Sequence, residues 1–462
     1  MEKNFSIRKL QNFAAIGKIE DEIYLNDLTI FMGDNSAGKS YVAILFDRLI
    51  NLEKELDDLL KYKDIKKSKL YIQVNQLLQD LLNSPANDSS LENSVEISKE
   101  LAPEVFIDTK HIIEEVIIDF IKKHFKGVVS GRLSIEVDYV LHSSMMLTIK
   151  RSATPTLYEF SVILKYAGLN LEGKHIIEKD KFKDEMILEQ ILEAIFFIII
   201  KATLNIPSSV YLPASRTGYL HTYEVLIKYA LEKTFGKRAH EVLNLPDWIL
   251  DFIIKLSQTS KNIDESNEIA TLIEQSILNG KVVVSQERSD IEFFIKNSRG
   301  NYKKKIDLPY TSSSISELIP LVAFLKRGFI QPKQLLIIEE PEAHLSFKNQ
   351  RLIARVIALL VQKGVKVLIT THSDFLIYEI NNLILAHAID KEKRPSEYKE
   401  ITLDPHSVNL YNFLFEKGKK RAIVKRVEVT KEGIDNPFIV DNFQTRAKMI
   451  DKLYSLFEEV DE

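Results

Sequence analysis

The chain has 462 residues, 45% apolar and 28% charged, with a net charge of −4. That length exceeds what one hydrophobic core fills, so two or three subdomains are expected, and the near-neutral balance leaves only local patches for nucleic-acid contact. The absence of cysteine excludes disulfides, thiolate metal sites and cysteine nucleophiles.

In chain order, residues 5–10 and 16–24 predict two short strands. Leu28-Thr29-Ile30-Phe31-Met32 reads as a buried strand, and residues 41–56 carry apolar side chains at helical spacing. Between them lies Gly33-Asp34-Asn35-Ser36-Ala37-Gly38-Lys39-Ser40. This fits G-x-x-x-x-G-K-[ST], and strand, loop, helix is the context that phosphate-binding motif needs. Glycines let the backbone wrap a phosphate, the loop N–H groups form an anion nest, and the helix N-terminus adds partial positive charge. Lys39 would reach the β- and γ-phosphates of a nucleotide, and Ser40 would hold magnesium.

Residues 51–125 read as helical, with a polar loop at 83–93. Leu52, Leu56, Leu59 and Leu60 start one apolar stripe, and Ile112, Ile113, Val116, Ile117 and Ile121 form another. The lysine-rich stretch 61–69 is a solvated face. Over 133–169 the period becomes two, through Leu133, Ile135, Val137, then Met146 and Thr148, then Phe160, Val162 and Leu164, which predicts an antiparallel meander. A helix is expected over 184–204. Its run 194–200, the longest apolar run in the chain, is far below the ~18 residues of a membrane span. The start, Met1-Glu-Lys-Asn-Phe, lacks the apolar core of a signal peptide, so a cytoplasmic protein without membrane contact is expected.

A strand at 209–212 leads into Pro213-Ala214-Ser215-Arg216-Thr217-Gly218. Arg216 reads equally well as a surface ion pair or as a residue near phosphate or an interface. Helices follow over 222–278, broken at Pro246, then strands at 281–284, 291–296 and 303–308. The last third is α/β: strands at 335–339 and 365–370, helices at 347–362 and 375–385, strands near 407–415 and 421–429, and an amphipathic helix at 442–459. The basic runs 303–305 and 417–426 read as solvated faces, with DNA contact the lesser reading.

Leu335-Leu336-Ile337-Ile338 is followed by Glu339 and Glu340. Two carboxylates ending a buried strand are costly without partners. Beside a phosphate loop, Glu339 would orient magnesium, directly or through water, and Glu340 would polarise the attacking water.

These residues give the chain a family likeness. Glu339-Glu340-Pro341-Glu342-Ala343-His344-Leu345 resembles the Walker B segment and D-loop of ABC-type ATPases of the SMC and OLD-like branch. Thr370-Thr371-His372-Ser373 resembles their switch-histidine loop, and Thr311-Ser312-Ser313-Ser314-Ile315-Ser316-Glu317-Leu318 their signature motif. The likeness covers residues 1–50 and 300–390 and departs in two places. Glu339 stands where Asp is usual, and Ser314 replaces the signature's second glycine. His344 reads equally as part of the D-loop or as the cap of the next helix.

The resemblance implies an α/β ABC-type P-loop ATPase head with an antiparallel β subdomain and helical insertions. It implies ATP and Mg2+ as cofactors, nucleotide contacts from residues 33–40 and from Ser312, Ser313 and Ser314, metal contacts from Ser40 and Glu339, and catalytic roles for Glu340 and His372. The head would comprise residues 1–50 and 281–390, interrupted by the insertion 51–280 and followed by a β/α segment, 391–462. It also implies a homo-oligomer built from head-to-head dimers. The insertion is too short and broken for a long SMC coiled coil, and no TOPRIM-like acid cluster follows Leu385. The chain is therefore most similar to the ATPases of PARIS-type anti-phage defence systems. That likeness implies a separate TOPRIM nuclease effector and a viral trigger protein. A DNA-maintenance ATPase acting with a nuclease is the other reading.

Overall fold

The computed structural model describes residues 5–435 apart from 52–60, 85–92, 126, 140, 142–143, 154–156, 167–168, 179–182, 205, 207, 234–244, 287–289, 297–301 and 417. The helix expected at 442–459 lies outside the described residues.

The chain opens with strands β1 (Phe5–Phe13), β2 (Ile16–Ile19) and β3 (Leu28–Gly33) and helix α1 (Lys39–Ile50). It continues through α2 (Lys69–Asn83), β4 (Asn93–Leu101), α3 (Lys110–His124), β5 (Val129–Tyr139), β6 (Met145–Ala153), β7 (Leu157–Tyr166), β8 (Leu169–Glu178) and α4 (Asp184–Leu204). Then come β9 (Ser209–Leu212), α5 (Arg216–Lys233), α6 (Asp247–Ser257), α7 (Glu268–Ile273), β10 (Gly280–Val284), β11 (Ile291–Lys296) and β12 (Tyr302–Ile306). The last part holds α8 (Ser313–Lys326), β13 (Leu335–Glu339), α9 (Phe347–Gln362), β14 (Lys366–Thr371), α10 (Asp374–His387), β15 (Val408–Phe415) and β16 (Ala422–Val427).

A nine-stranded sheet of order β5-β1-β2-β16-β15-β3-β14-β13-β9 organises the molecule. Its strands β15, β3, β14, β13 and β9 pair in parallel. β3, β13 and β9 are buried at every position, as strands covered on both faces must be. Parallel neighbours need a crossover, and α9 supplies the one from β13 to β14. The Ser346 hydroxyl caps α9, accepting from the Asn349 amide, and the Ser373 hydroxyl caps α10, accepting from that of Leu376. Arg351 and Arg355 of α9 clamp the buried Glu379 of α10 at 3.0 and 2.7 Å. This fixes the two helices that follow the β13 and β14 ends.

A four-stranded antiparallel sheet, β4-β6-β7-β8, stands apart from the large one. Two sequence expectations change here. Residues 93–101, read as following a loop within a helical stretch, form β4, paired along its length with β6. Its apolar residues Val95, Ile97 and Leu101 fall on one face of a two-residue period, with Lys99 interrupting it and polar or charged residues between, a strand period that the flanking helical stripes obscured. β5 leaves the expected meander and pairs with β1 in the large sheet. The run 194–200 lies inside α4, where Ile195, Phe196, Ile198 and Ile199 are buried.

α8 is deeply packed and contains Pro320. At its end, the fully buried Lys326 Nζ donates to Glu274 Oε1 (2.7 Å), Glu265 Oε2 (3.2 Å) and Val282 O (2.6 Å), binding the helix to β10.

Candidate active site

The carboxyl ends of β3, β13 and β14 lie side by side in the sheet, where open α/β folds bind ligands. The phosphate loop leaves β3 at Gly33. Its φ of +130° lies in the region glycine favours, and a Cβ there would come within 2.1 Å of the Phe413 carbonyl oxygen. β15 therefore excludes any side chain at this position. Asp34 secures the same contact, its amide donating to Phe413 O and its carboxylate accepting from the Phe415 amide, both at 2.9 Å. Gly38, at φ +105°, precedes α1, whose first turn carries no acid. No side chain of that first turn therefore opposes the attraction of the helix end for an anion.

Lys39 is buried, and its Nζ turns back onto the loop, donating to Gly33 O (3.0 Å) and Asp34 O (2.7 Å). Burial lowers its pKa to about 8, against the pull of the Glu340, Asp34, Glu342 and Glu339 charges. A lysine that holds a phosphate must be charged, so phosphate binding at Lys39 above about pH 8 would take up a proton. ATP affinity is therefore expected to hold below that pH and to fall about tenfold per unit above it. Lys39→Arg should flatten the profile. The only tryptophan, Trp248, gives the readout. It stacks on Phe125 (ring centroids 5.5 Å), which meets Tyr41 beside the phosphate loop at 6.2 Å.

Glu339 ends β13 and is buried. Its Oε2 accepts from the Ala214 amide at 3.2 Å, while Oε1 has no partner among the described residues. Burial, then the Glu339 charge and hydrogen bond, holds the Tyr211 phenol well above its ordinary pKa. A buried carboxylate with one oxygen unmet fits a cation there. Among the described residues no three His, Cys, Asp or Glu side chains converge as a metal cage. Magnesium commonly takes only one or two protein carboxylates and completes its shell with phosphate and water. Glu339, with one oxygen unmet, fits that pattern.

Glu340 is half-exposed, at φ +44°, and its amide donates to Thr370 O at 2.9 Å. Its Oε1 lies 3.8 Å from Nε2 of His372, on the loop after β14. Burial, then the Lys39 charge, lowers the His372 pKa, against Glu340 and a hydrogen bond with the Gly33 backbone. The structure thus brings together Lys39, Glu339, Glu340 and His372.

The Ser312, Ser313 and Ser314 side chains are a different case. Ser312 and Ser313 are exposed at the start of α8, and the Ser312 hydroxyl bonds Ser314 Oγ at 3.1 Å. No hydrogen bond joins the three to the phosphate loop among the described residues.

Two expectations are corrected. Arg216 is not a surface ion pair but is buried behind the Glu339–Glu340 peptide, where it pairs with Glu317. His344 does not cap α9; it is exposed at φ +58°, and Ser346 is the cap. One participant was missed. The Glu342 carboxylate Oε1 accepts from Thr371 Oγ1 (2.6 Å) and the His372 amide (2.9 Å), setting the loop after β14, and burial raises its pKa. Its place two residues after Glu340 was the available signal.

The family model described as AAA ATPase domain matches residues 8–377. The chain belongs to the AAA ATPase domain family. Among solved structures, this ATPase domain is similar to an SMC head bound to the C-winged helix domain of ScpA (13% identity, 93% of this chain, 98% of that one, TM-score 0.36). It is also similar to the SMC head domain from Thermotoga maritima (10% identity, 93% and 100%, TM-score 0.32). A third is the Smc head with an extended coiled coil bound to the C-terminal domain of ScpA, from Pyrococcus furiosus (11% identity, 97% and 100%, TM-score 0.33). No curated protein matches the chain. Among the described residues no helix is long and apolar enough to cross a membrane.

Proposed function

We propose that this chain is a magnesium-dependent ATP hydrolase whose site is completed by a second copy. The convergence of Lys39, Glu339, Glu340 and His372 on the phosphate loop carries this reading. Lys39 would hold the β- and γ-phosphates, and Ser40 and Glu339 would hold the metal. Glu340 takes the proton of the attacking water, and the neutral His372 orients that water or the terminal phosphate. Magnesium, when bound, would supply neutralisation of the phosphate charge. The exposed Ser312 and Ser313 at the start of α8 support a shared site in a head-to-head dimer, since another copy's nucleotide can reach them. Mixing settles this. Lys39→Ala and Ser312→Arg chains should each be inactive, and together they should regain activity from one intact site per heterodimer. A chain fully active as a monomer at high dilution would refute sharing.

For the cellular role, we read the chain as an AriA-like sensor and scaffold of PARIS-type anti-phage defence. It would hold a separately encoded TOPRIM nuclease and release it on meeting a viral anti-restriction protein. The motif resemblance supports this, as does the β4-β6-β7-β8 sheet, which contributes none of the site residues named above. A partner can respond to ATP only if it binds two states differently. Pull-down from the native operon should recover the nuclease, trigger protein should release it, and Lys39→Ala should block release. No partner, together with DNA-stimulated ATP turnover, would favour the DNA-maintenance reading instead.

A further inference from the structure

Arg216 begins α5 directly after the loop from β9, and only 1% of its surface is exposed. Its guanidinium reaches separate segments at once. Nη1 donates to Pro213 O (3.1 Å) and Glu339 O (2.7 Å), and Nη2 donates to Glu340 O (3.3 Å). Nε donates to Glu317 O at 2.8 Å and lies 2.9 Å from Glu317 Oε2. A charge buried this far is costly unless its donors are met. A planar fork with five N–H donors on three nitrogens can meet four carbonyls on separate segments at once, whereas a lysine has three donors on a single atom.

What the fork grips matters. Glu340 sits at φ +44°, a left-handed conformation that a residue other than glycine keeps only when its surroundings hold it. Thr370 O holds its amide at 2.9 Å, and Arg216 holds its carbonyl and the preceding one. The other grip is Glu317, in the early turns of α8. The adjacent Thr217 hydroxyl donates to Glu317 Oε1 at 2.5 Å. One turn further along α5, His221 Nε2 lies 3.1 Å from Ser316 Oγ, which also bonds Thr311 Oγ1 at 2.6 Å. The start of α5 is therefore tied both to the peptide that aims Glu340 and to the helix that presents Ser312, Ser313 and Ser314.

We propose that Arg216 is a positioning residue that fixes the Glu340 backbone for water activation and links it mechanically to the start of α8. Contact of a second copy's nucleotide with that helix then reaches Glu340 through one side chain. The proposal rests on the general-base reading of Glu340 above. It predicts that Arg216 governs the chemical step and not nucleotide affinity, because Arg216 touches neither Lys39 nor the loop N–H groups among its contacts.

Two variants test it in the full chain. Arg216→Lys keeps the charge opposite Glu317 but cannot span the carbonyls. Arg216→Met combined with Glu317→Gln removes both buried charges together, which folds tolerate better than removing one. For each, the thermal midpoint, the ATP dissociation constant from Trp248 fluorescence and kcat at saturating ATP are measured, with Glu340→Gln alongside. The expected result is an ATP dissociation constant close to that of the wild type with kcat about a hundredfold lower, the scale of a misplaced catalytic group. Wild-type kcat in either folded variant overturns the proposal. So does a loss of kcat matched by an equal loss of ATP affinity, which marks a merely structural residue. Intact turnover in Glu340→Gln overturns the underlying site reading instead, and the proposal with it.

Discussion

Lys39→Ala is expected to weaken ATP binding by about two orders of magnitude, since a charged hydrogen bond contributes up to ~3 kcal/mol, and to bring turnover to background. The fold should survive. Among the described residues, Lys39 Nζ hydrogen-bonds the Gly33 and Asp34 carbonyls, and burial already disfavours its charge. Loss of the side chain should therefore change stability by no more than about 1 kcal/mol. Trp248 fluorescence titration with ATP, run with a thermal melt, separates binding from folding. Unchanged turnover in a folded variant would reject the phosphate-loop assignment.

Glu340→Gln should bind ATP yet hydrolyse it about a hundred to ten thousand times more slowly, as an enzyme does when it loses a general base. The blocked enzyme should accumulate as an ATP-bound dimer in sedimentation. A second consequence follows from charge. Glu340 leads the acids that raise the Lys39 pKa against burial, so its neutralisation should move the pH limit of ATP binding downward. Glu339→Gln should instead raise the magnesium requirement. Trapped ATP in Glu339→Gln, with Glu340→Gln silent, would exchange the two roles.

The parts legible in the sequence are those written locally. Leu28 to Ser40 and Leu335 to Glu340 combine an unbroken apolar strand with a glycine or acid at its end, and the structure places both strands in the parallel core. The alternating Leu133, Ile135 and Val137 marked β5 as a strand, but its partner is β1, about 120 residues away in the chain. Alternation reveals which face is buried, not which strand lies alongside. Arg216 was harder still. Its partners are backbone carbonyls from three segments, and a carbonyl has no sequence signature. The unmet Glu339 Oε1 and the left-handed Glu340 were likewise visible only once the strands were assembled.

The most direct test is a structure of the Glu340→Gln chain crystallised with ATP and Mn2+, the metal located by its anomalous scattering. The account predicts Mn2+ between Ser40 and Glu339, Lys39 Nζ turned from its carbonyls onto the γ-phosphate, and Ser312 to Ser314 of the partner subunit facing the same nucleotide. ATP bound away from residues 33–40, or Mn2+ held by groups other than Ser40 and Glu339, would contradict it.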